Sequence, residues 1–296
     1  MGTLFGYHLA KTSDVTILES NPAVSDAIRR KGLCVNDGKP VKVAVARSAR
    51  ELYASNVLFL FVKAVDTLRA LRPFAGELNP STPVVSLQNG IGNEDAIRTA
   101  LGGAVPVILG ITTESSTTLG PGRVSSSEQG ATIIGSSTAS PTTSRTVADV
   151  LVHSGLQASI VYDIRPHLWG KLVANASINA LSALLECPVG AIPKEPNAAH
   201  LAEVLADEAA GVAAALKINL PYANPWHYVM QVILLGADTK SSMAFDLETG
   251  HPSEIDYING AIVAFGRRTN VPTPYNDTMV RLVKAREALL AQTRGA

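Results

Sequence analysis

Up to about residue 112, short apolar runs alternate with segments of helical period. "VTILES", "NVLFLFVKA" and "TPVVSLQNG" read as strands, and "AVSDAIRRKGL", "VDTLRALRPFAGEL" and "EDAIRTALG" as helices. That order predicts a parallel sheet wrapped by helices. "VLFLFV" and "PVVSL" are apolar at nearly every position, as expected of strands covered on both faces. Between residues 120 and 162 the texture changes to Gly, Ser and Thr-rich turns around "GRVSSS", "ATIIGS" and "ASIVYD", which read as short strands added to the sheet, with a helix at "SRTVADVLVHSG". From about residue 163 the strand signal is gone. Helical patterns follow, broken at "CPVGAIPKEPN", "LPYANPW", "ETGHPSE" and "NVPTPYN". The expected organisation is an α/β domain over 1–162 and an all-α domain over 163–296.

Composition narrows the classes. The chain has 296 residues, 46% of them hydrophobic, enough for two domains of ordinary size. Twenty-five basic and twenty-five acidic residues cancel, and no basic run stands out, so a nucleic-acid partner is not expected. Cys34 and Cys187 lie far apart with no CxxC spacing or His cluster, which argues against a metal site or a disulfide framework. No apolar stretch reaches the roughly 18–20 residues of a membrane span, and no export signal opens the sequence. The cytoplasm is the default expectation.

The opening "MGTLFGYHLAKTSDVTILES" has the shape of the second half of a dinucleotide-binding unit. In such units a strand runs into a glycine-rich turn, and backbone N–H groups at the helix start receive the pyrophosphate. Gly2 stands where the last glycine of the turn would be. Glu19, at the end of "VTILE", stands where an acidic side chain would bond a ribose 2′-hydroxyl. A plain surface helix with an exposed Glu is the structural alternative. The domain is expected to be Rossmann-type with its first strand missing. We expect the strand and the earlier glycines in coding sequence upstream of Met1, rather than truly lost. A carboxylate at 19 would repel a 2′-phosphate and accept from a free diol, which favours NADH over NADPH.

In "HLWGKLVANASINALSALL", Lys171, Asn175 and Asn179 recur every four residues among Leu, Val, Ala and Ile. Four residues advance a helix by about 400°, so the three side chains share one face. Buried polar groups need partners, so such a row marks either a ligand-lined surface or helix caps with a lysine reaching solvent. In "HPSEIDYING", Ser253 reads as an N-cap with Glu254 in the first turn of a helix. In "KSSMAFDLETG", Ser241 and Ser242 read as a loop–helix transition. In "SLQNGIG", Asn89 follows a buried parallel strand, where ligands gather, although Asn-Gly is also an ordinary turn signal.

Together, "SLQNGIGNED", "LWGKLVANASINALSAL", "SSMAFDLETGHPSEIDYINGAIV" and "NVPTPYNDTMVRLVKAREA" resemble the ketopantoate reductases (2-dehydropantoate 2-reductases), in the same order from Gly2 to about Glu287. The resemblance implies NAD(P)H-dependent reduction of 2-dehydropantoate to (R)-pantoate, toward pantothenate and coenzyme A, with the active site in a cleft between the domains. It implies Lys171 as proton donor, Glu254 as its partner, and Asn175, Asn179 and Ser242 as substrate ligands. Asn89 would lie between nicotinamide and substrate, with Lys63 and Ser116 near the cofactor. NADPH is usual for the family, whereas Glu19 leans toward NADH, and "CPVG" has Val189 where some relatives carry a polar residue. The alternatives are a reductase of another branched 2-oxo acid and a ligand-binding homologue without dinucleotide binding. The sequence leaves a homodimer open.

Overall fold

The computed structural model describes residues 1–103 and 105–294. They form two compact units: Met1–Val62 with Asp66–Gln88 and Glu94–Ile164, and Lys63–Val65 with Asn89–Asn93 and Arg165–Ala296. Two short segments, 63–65 and 89–93, therefore belong with the second unit although they lie in loops of the first part of the chain.

The first unit is α/β and Rossmann-type. Its elements in order are α1 (Gly2–Leu9), β1 (Thr16–Leu18), α2 (Pro22–Lys31), β2 (Cys34–Val35), β3 (Ala44–Ala46), β4 (Leu58–Leu60), α3 (Thr67–Leu71), β5 (Val84–Ser86), α4 (Asn93–Leu101), β6 (Val107–Thr112), β7 (Thr117–Gly120), β8 (Arg123–Ser125), β9 (Ala131–Ser136), α5 (Pro141–His153) and β10 (Gln157–Val161). The main sheet has the order β10-β9-β6-β5-β4, and β1-β3 form a separate parallel pair. β4, β5 and β6 run parallel, β9 pairs antiparallel to β6, and β10 parallel to β9. β2, β8 and β7 make a third small sheet from the Ser/Thr-rich turns. Phe5 of α1 packs on Phe61 with ring centroids 4.9 Å apart, above a core of Val85, Ile108, Ile134 and Leu151.

Two local expectations change. β5 is buried throughout, but Leu58 and Phe59 of β4 are only half-buried, because β4 is the edge of the sheet order and is less covered than an inner strand. The helix expected over "VDTLRALRPFAGEL" ends as α3 at Leu71 and continues as a 3₁₀ turn over Arg72–Phe74, since Pro73 cannot donate the next helical hydrogen bond.

The second unit is helical: α6 (Arg165–Leu185), α7 (Pro196–Ala215), α8 (Pro225–Leu235), α9 (Ser242–Thr249), α10 (Asn259–Thr269) and α11 (Pro274–Arg294). α7 and α8 each begin with proline, preformed for a first turn, behind a capping side chain: Glu195 accepts from Ala198 N–H, and Asn224 accepts from His227 N–H. Ala176 and Ala180 of α6 and Ala202, Ala206 and Ala209 of α7 are fully buried, and these small side chains let the helices approach closely. Leu172, Val173, Leu205, Ile262 and Val283 fill the same core, each contributing about 1.5–3 kcal/mol by leaving water. A buried polar network ties it: Asn259 Nδ2 donates to Ala176 O and to Asn276 Oδ1, at 3.0 and 2.9 Å. Glu208 of α7 accepts the Tyr275 and Asn276 N–H groups at 2.9 Å each, which caps the start of α11 from another helix. Among the described residues no helix is long and apolar enough to cross a membrane.

Candidate active site

The site is built on α6. Its 21 residues carry Lys171, Asn175 and Asn179 on successive turns, as the four-residue spacing requires. Lys171 and Asn175 are half-buried and Asn179 is buried. The backbone carbonyl of Asn179 accepts the hydroxyl of Ser241 at 3.1 Å, and Ser241 also caps α9 by accepting Ala244 N–H. Ser242, the first residue of α9, is exposed. The Lys171 amine is driven below the usual lysine range, to about 8, chiefly by burial, while the negative charge of Glu254 pulls it back up.

Glu254 does not sit in the first turn of a helix. Helix α10 begins only at Asn259, and Ser253 caps no helix: its Oγ accepts Ile255 N–H at 3.4 Å. Residues 254–258 instead form a turn, in which Tyr257 and Ile258 both donate backbone N–H to Glu254 O at 3.0 Å. The side chain is buried and faces two loop segments. Oε1 accepts Ala64 N–H at 3.0 Å, and Oε2 accepts the Asn89 amide at 3.2 Å. "Ser-Glu" before an apolar run has the composition of a cap. Here the acid satisfies donors from residues 190 and 165 positions away, contacts no local pattern encodes.

Asn89 is fixed from several directions. Its backbone oxygen accepts from Asn93 Nδ2 at 3.0 Å, and the next loop residue but one, Ile91, donates N–H to Tyr257 O at 2.9 Å. Between them Gly90 has φ of +83°, and a Cβ there would lie 2.3 Å from the same Tyr257 carbonyl oxygen. Only glycine meets both requirements. The "SLQNGIG" and "EIDYING" stretches are thus one packed assembly. Lys63 joins it through an ion pair with Asp246 of α9, whose side chain is nearly buried. Asp246 escaped the sequence reading. The available signal was a lone acid inside the apolar run "MAFDL".

The helical unit therefore brings together Lys171, Glu254, Asn89 and Lys63, with Asn175, Asn179 and Ser242 on adjoining turns of α6 and α9. Gly2, Glu19 and Ser116 belong to the first unit. Gly2 opens α1, where a Cβ would make ordinary contact with Phe61. Glu19 directly follows β1 and accepts Asn21 N–H at 2.8 Å. Ser116 lies just before β7, and its hydroxyl accepts from the Met1 amine at 3.1 Å. Cys34 and Cys187 are free thiols.

Comparison with known proteins identifies the family. Residues 1–139 match the family described as ketopantoate reductase PanE/ApbA, and residues 163–287 match its C-terminal part, ketopantoate reductase PanE/ApbA C terminal. A 2-dehydropantoate 2-reductase of Streptococcus pyogenes serotype M3 is 30% identical over 98% of this chain and 96% of its own length. One of Pyrobaculum aerophilum is 37% identical over 69% and 70% respectively. Among solved structures, a PanE/ApbA family ketopantoate reductase from Ralstonia eutropha superposes with a TM-score of 0.89 at 27% identity, covering 97% of this chain and 95% of that one. D-mandelate dehydrogenase with NADH and anilino(oxo)acetate superposes at 0.87 and 28%, covering 98% and 96%. With family matches over both parts of the sequence and full-length relatives at this identity, the chain belongs to the ketopantoate reductase family.

Proposed function

We propose that the chain reduces 2-dehydropantoate to (R)-pantoate with NAD(P)H, a step toward pantothenate and coenzyme A. The observation that carries this is Lys171: a half-buried ammonium beside a buried carboxylate, with its pKa brought to about 8, on the same helical face as two amides. A bound nicotinamide dinucleotide supplies the hydride. As negative charge develops on the ketone oxygen, the Lys171 ammonium stabilises it and gives up a proton from Nζ. An amine near 8 is mostly protonated at pH 7 yet donates more readily than an ordinary lysine. Glu254 keeps Lys171 charged by its own negative charge and holds Asn89 in place. Asn175 and Asn179 read a substrate hydroxyl, and Ser242 donates to the substrate carboxylate.

The described residues fit a dinucleotide. Glu19 and Asn89 follow the carboxyl ends of the parallel strands β1 and β5, where such folds receive ligands. Glu19 already accepts a backbone N–H, and a carboxylate keeps acceptor capacity for a ribose diol beside it, which supports NADH over NADPH. Lys63, Ser116 and Gly2 complete the proposed cofactor set. The likeness to D-mandelate dehydrogenase supports a second reading, reduction of another 2-oxo acid on the same residues.

The test is steady-state reduction of a panel of 2-oxo acids with NADH and NADPH by the wild type and by Lys171→Ala. The expected result is highest kcat/KM for 2-dehydropantoate, with turnover falling by orders of magnitude in Lys171→Ala while dinucleotide affinity holds. A higher kcat/KM for an aromatic or other branched acid favours the second reading, and near-normal turnover by Lys171→Ala removes the assigned role. Failure of the intact, folded chain to bind either dinucleotide favours a non-catalytic ligand-binding protein.

A further inference from the structure

We propose that Asp246 is a positioning residue for the cofactor: it fixes the Lys63 ammonium, three residues beyond β4 in sequence, for contact with a nicotinamide dinucleotide. The inference rests on the oxidoreductase reading above and extends it to a residue outside the motifs.

Three observations carry it. First, Lys63 lies three residues beyond the end of β4 and Asn89 three beyond β5, the positions where parallel α/β sheets gather ligands. Second, the loop does not need Asp246 to stay in place. The Ala64 N–H, buried and next in sequence, is already taken by Glu254. The two acids divide the work, with Glu254 holding the backbone and Asp246 the ammonium. Third, the pair is asymmetric. The Asp246 side chain is 7% exposed and that of Lys63 is 35% exposed, so the acid lies beneath and the cation stays accessible above it. A bridge serving stability alone gains nothing from keeping one partner in reach of a ligand, and ion pairs of this kind contribute little net stability in any case.

The surroundings of Asp246 explain why the cation stays. Burial pushes its carboxyl upward and the nearby Glu254 adds to this, whereas the hydrogen bond and charge of Lys63, and the charge of His251, pull it down. Without Lys63 the acid would be a buried charge next to another. A lysine on a loop otherwise spreads over many rotamers, and fixing it in advance removes that entropy from the cost of binding.

The experiment compares wild type, Asp246→Asn, Lys63→Met and the double variant, measuring dinucleotide KM, kcat at saturating 2-oxo acid, and thermal midpoint. Asp246→Asn is expected to raise dinucleotide KM by about tenfold, about 1.4 kcal/mol, with kcat nearly unchanged. Lys63→Met is expected to do the same, and the double variant no more than the larger single effect. A lowered midpoint with unchanged KM, or single effects that multiply in the double variant, overturns the proposal. Should Asp246→Asn not fold, Asp246→Glu keeps the charge on a longer arm. It is then expected to retain the midpoint while raising KM, and an unchanged KM overturns the proposal equally. A wild type that reduces no 2-oxo acid refutes the reading beneath it. A competent wild type beside an unaffected Asp246 variant refutes this inference alone.

Discussion

Replacing Lys171 by methionine should make the protein more stable at neutral pH. The amine's pKa falls from 10.5 in an unperturbed lysine to about 8 in the folded chain, mainly through burial. At about 1.4 kcal/mol per tenfold change, keeping that ammonium charged costs the native state about 3 kcal/mol at pH 7. Methionine fills similar volume without the charge. The attraction to Glu254 is already contained in that net shift, so about 3 kcal/mol is the ceiling of the gain. The pH dependence identifies the cause. Below about 8 the amine is protonated in both states and the penalty is constant. Between about 8 and 10.5 the unfolded chain binds more protons than the folded one, so wild-type stability rises with pH relative to the variant, and the methionine advantage fades. Urea unfolding of both proteins from pH 7 to 10 measures the difference, and titrations common to both cancel. A difference that is flat with pH would mean the amine is not desolvated, and the chemistry assigned to it would lose its physical basis.

Turnover in the reductive direction should fall as pH rises through about 8, where Lys171 loses the proton it donates. Glu254→Gln keeps an acceptor for Ala64 N–H but removes the charge that holds the lysine protonated, so kcat profiles should show the fall at lower pH. An unmoved profile would detach the two residues. Gly90→Ala forces a side chain into left-handed backbone against the Tyr257 carbonyl, and should cost about 1–3 kcal/mol in denaturant unfolding together with most of the activity. Glu19→Arg should move the ratio of kcat/KM for NADPH over NADH upward. An unchanged ratio would mean that the 19 side chain does not face the ribose.

Regular spacing made much of this architecture legible. The row of Lys171, Asn175 and Asn179 follows from helical period alone, and the proline-marked breaks at 196 and 225 coincide with the starts of α7 and α8. β4 and the helix after it were less legible, because strand coverage and a proline's local effect depend on what packs nearby. Glu254 was found for its charge and its motif but placed on the wrong local structure, since its partners, Ala64 and Asn89, lie far upstream. Asp246 left only the trace of a lone acid inside an apolar run. Its significance comes from a loop lysine 183 positions earlier, and nothing in a one-dimensional pattern pairs them.

The interlock of Gly90 and Ile91 with the Tyr257 carbonyl constrains how relatives can exchange parts. A chimera that imports either loop alone would set a foreign backbone path against a native one at a spacing with no room for a methyl group. Both segments would have to be transplanted together, and natural divergence at one should be accompanied by compensating change at the other.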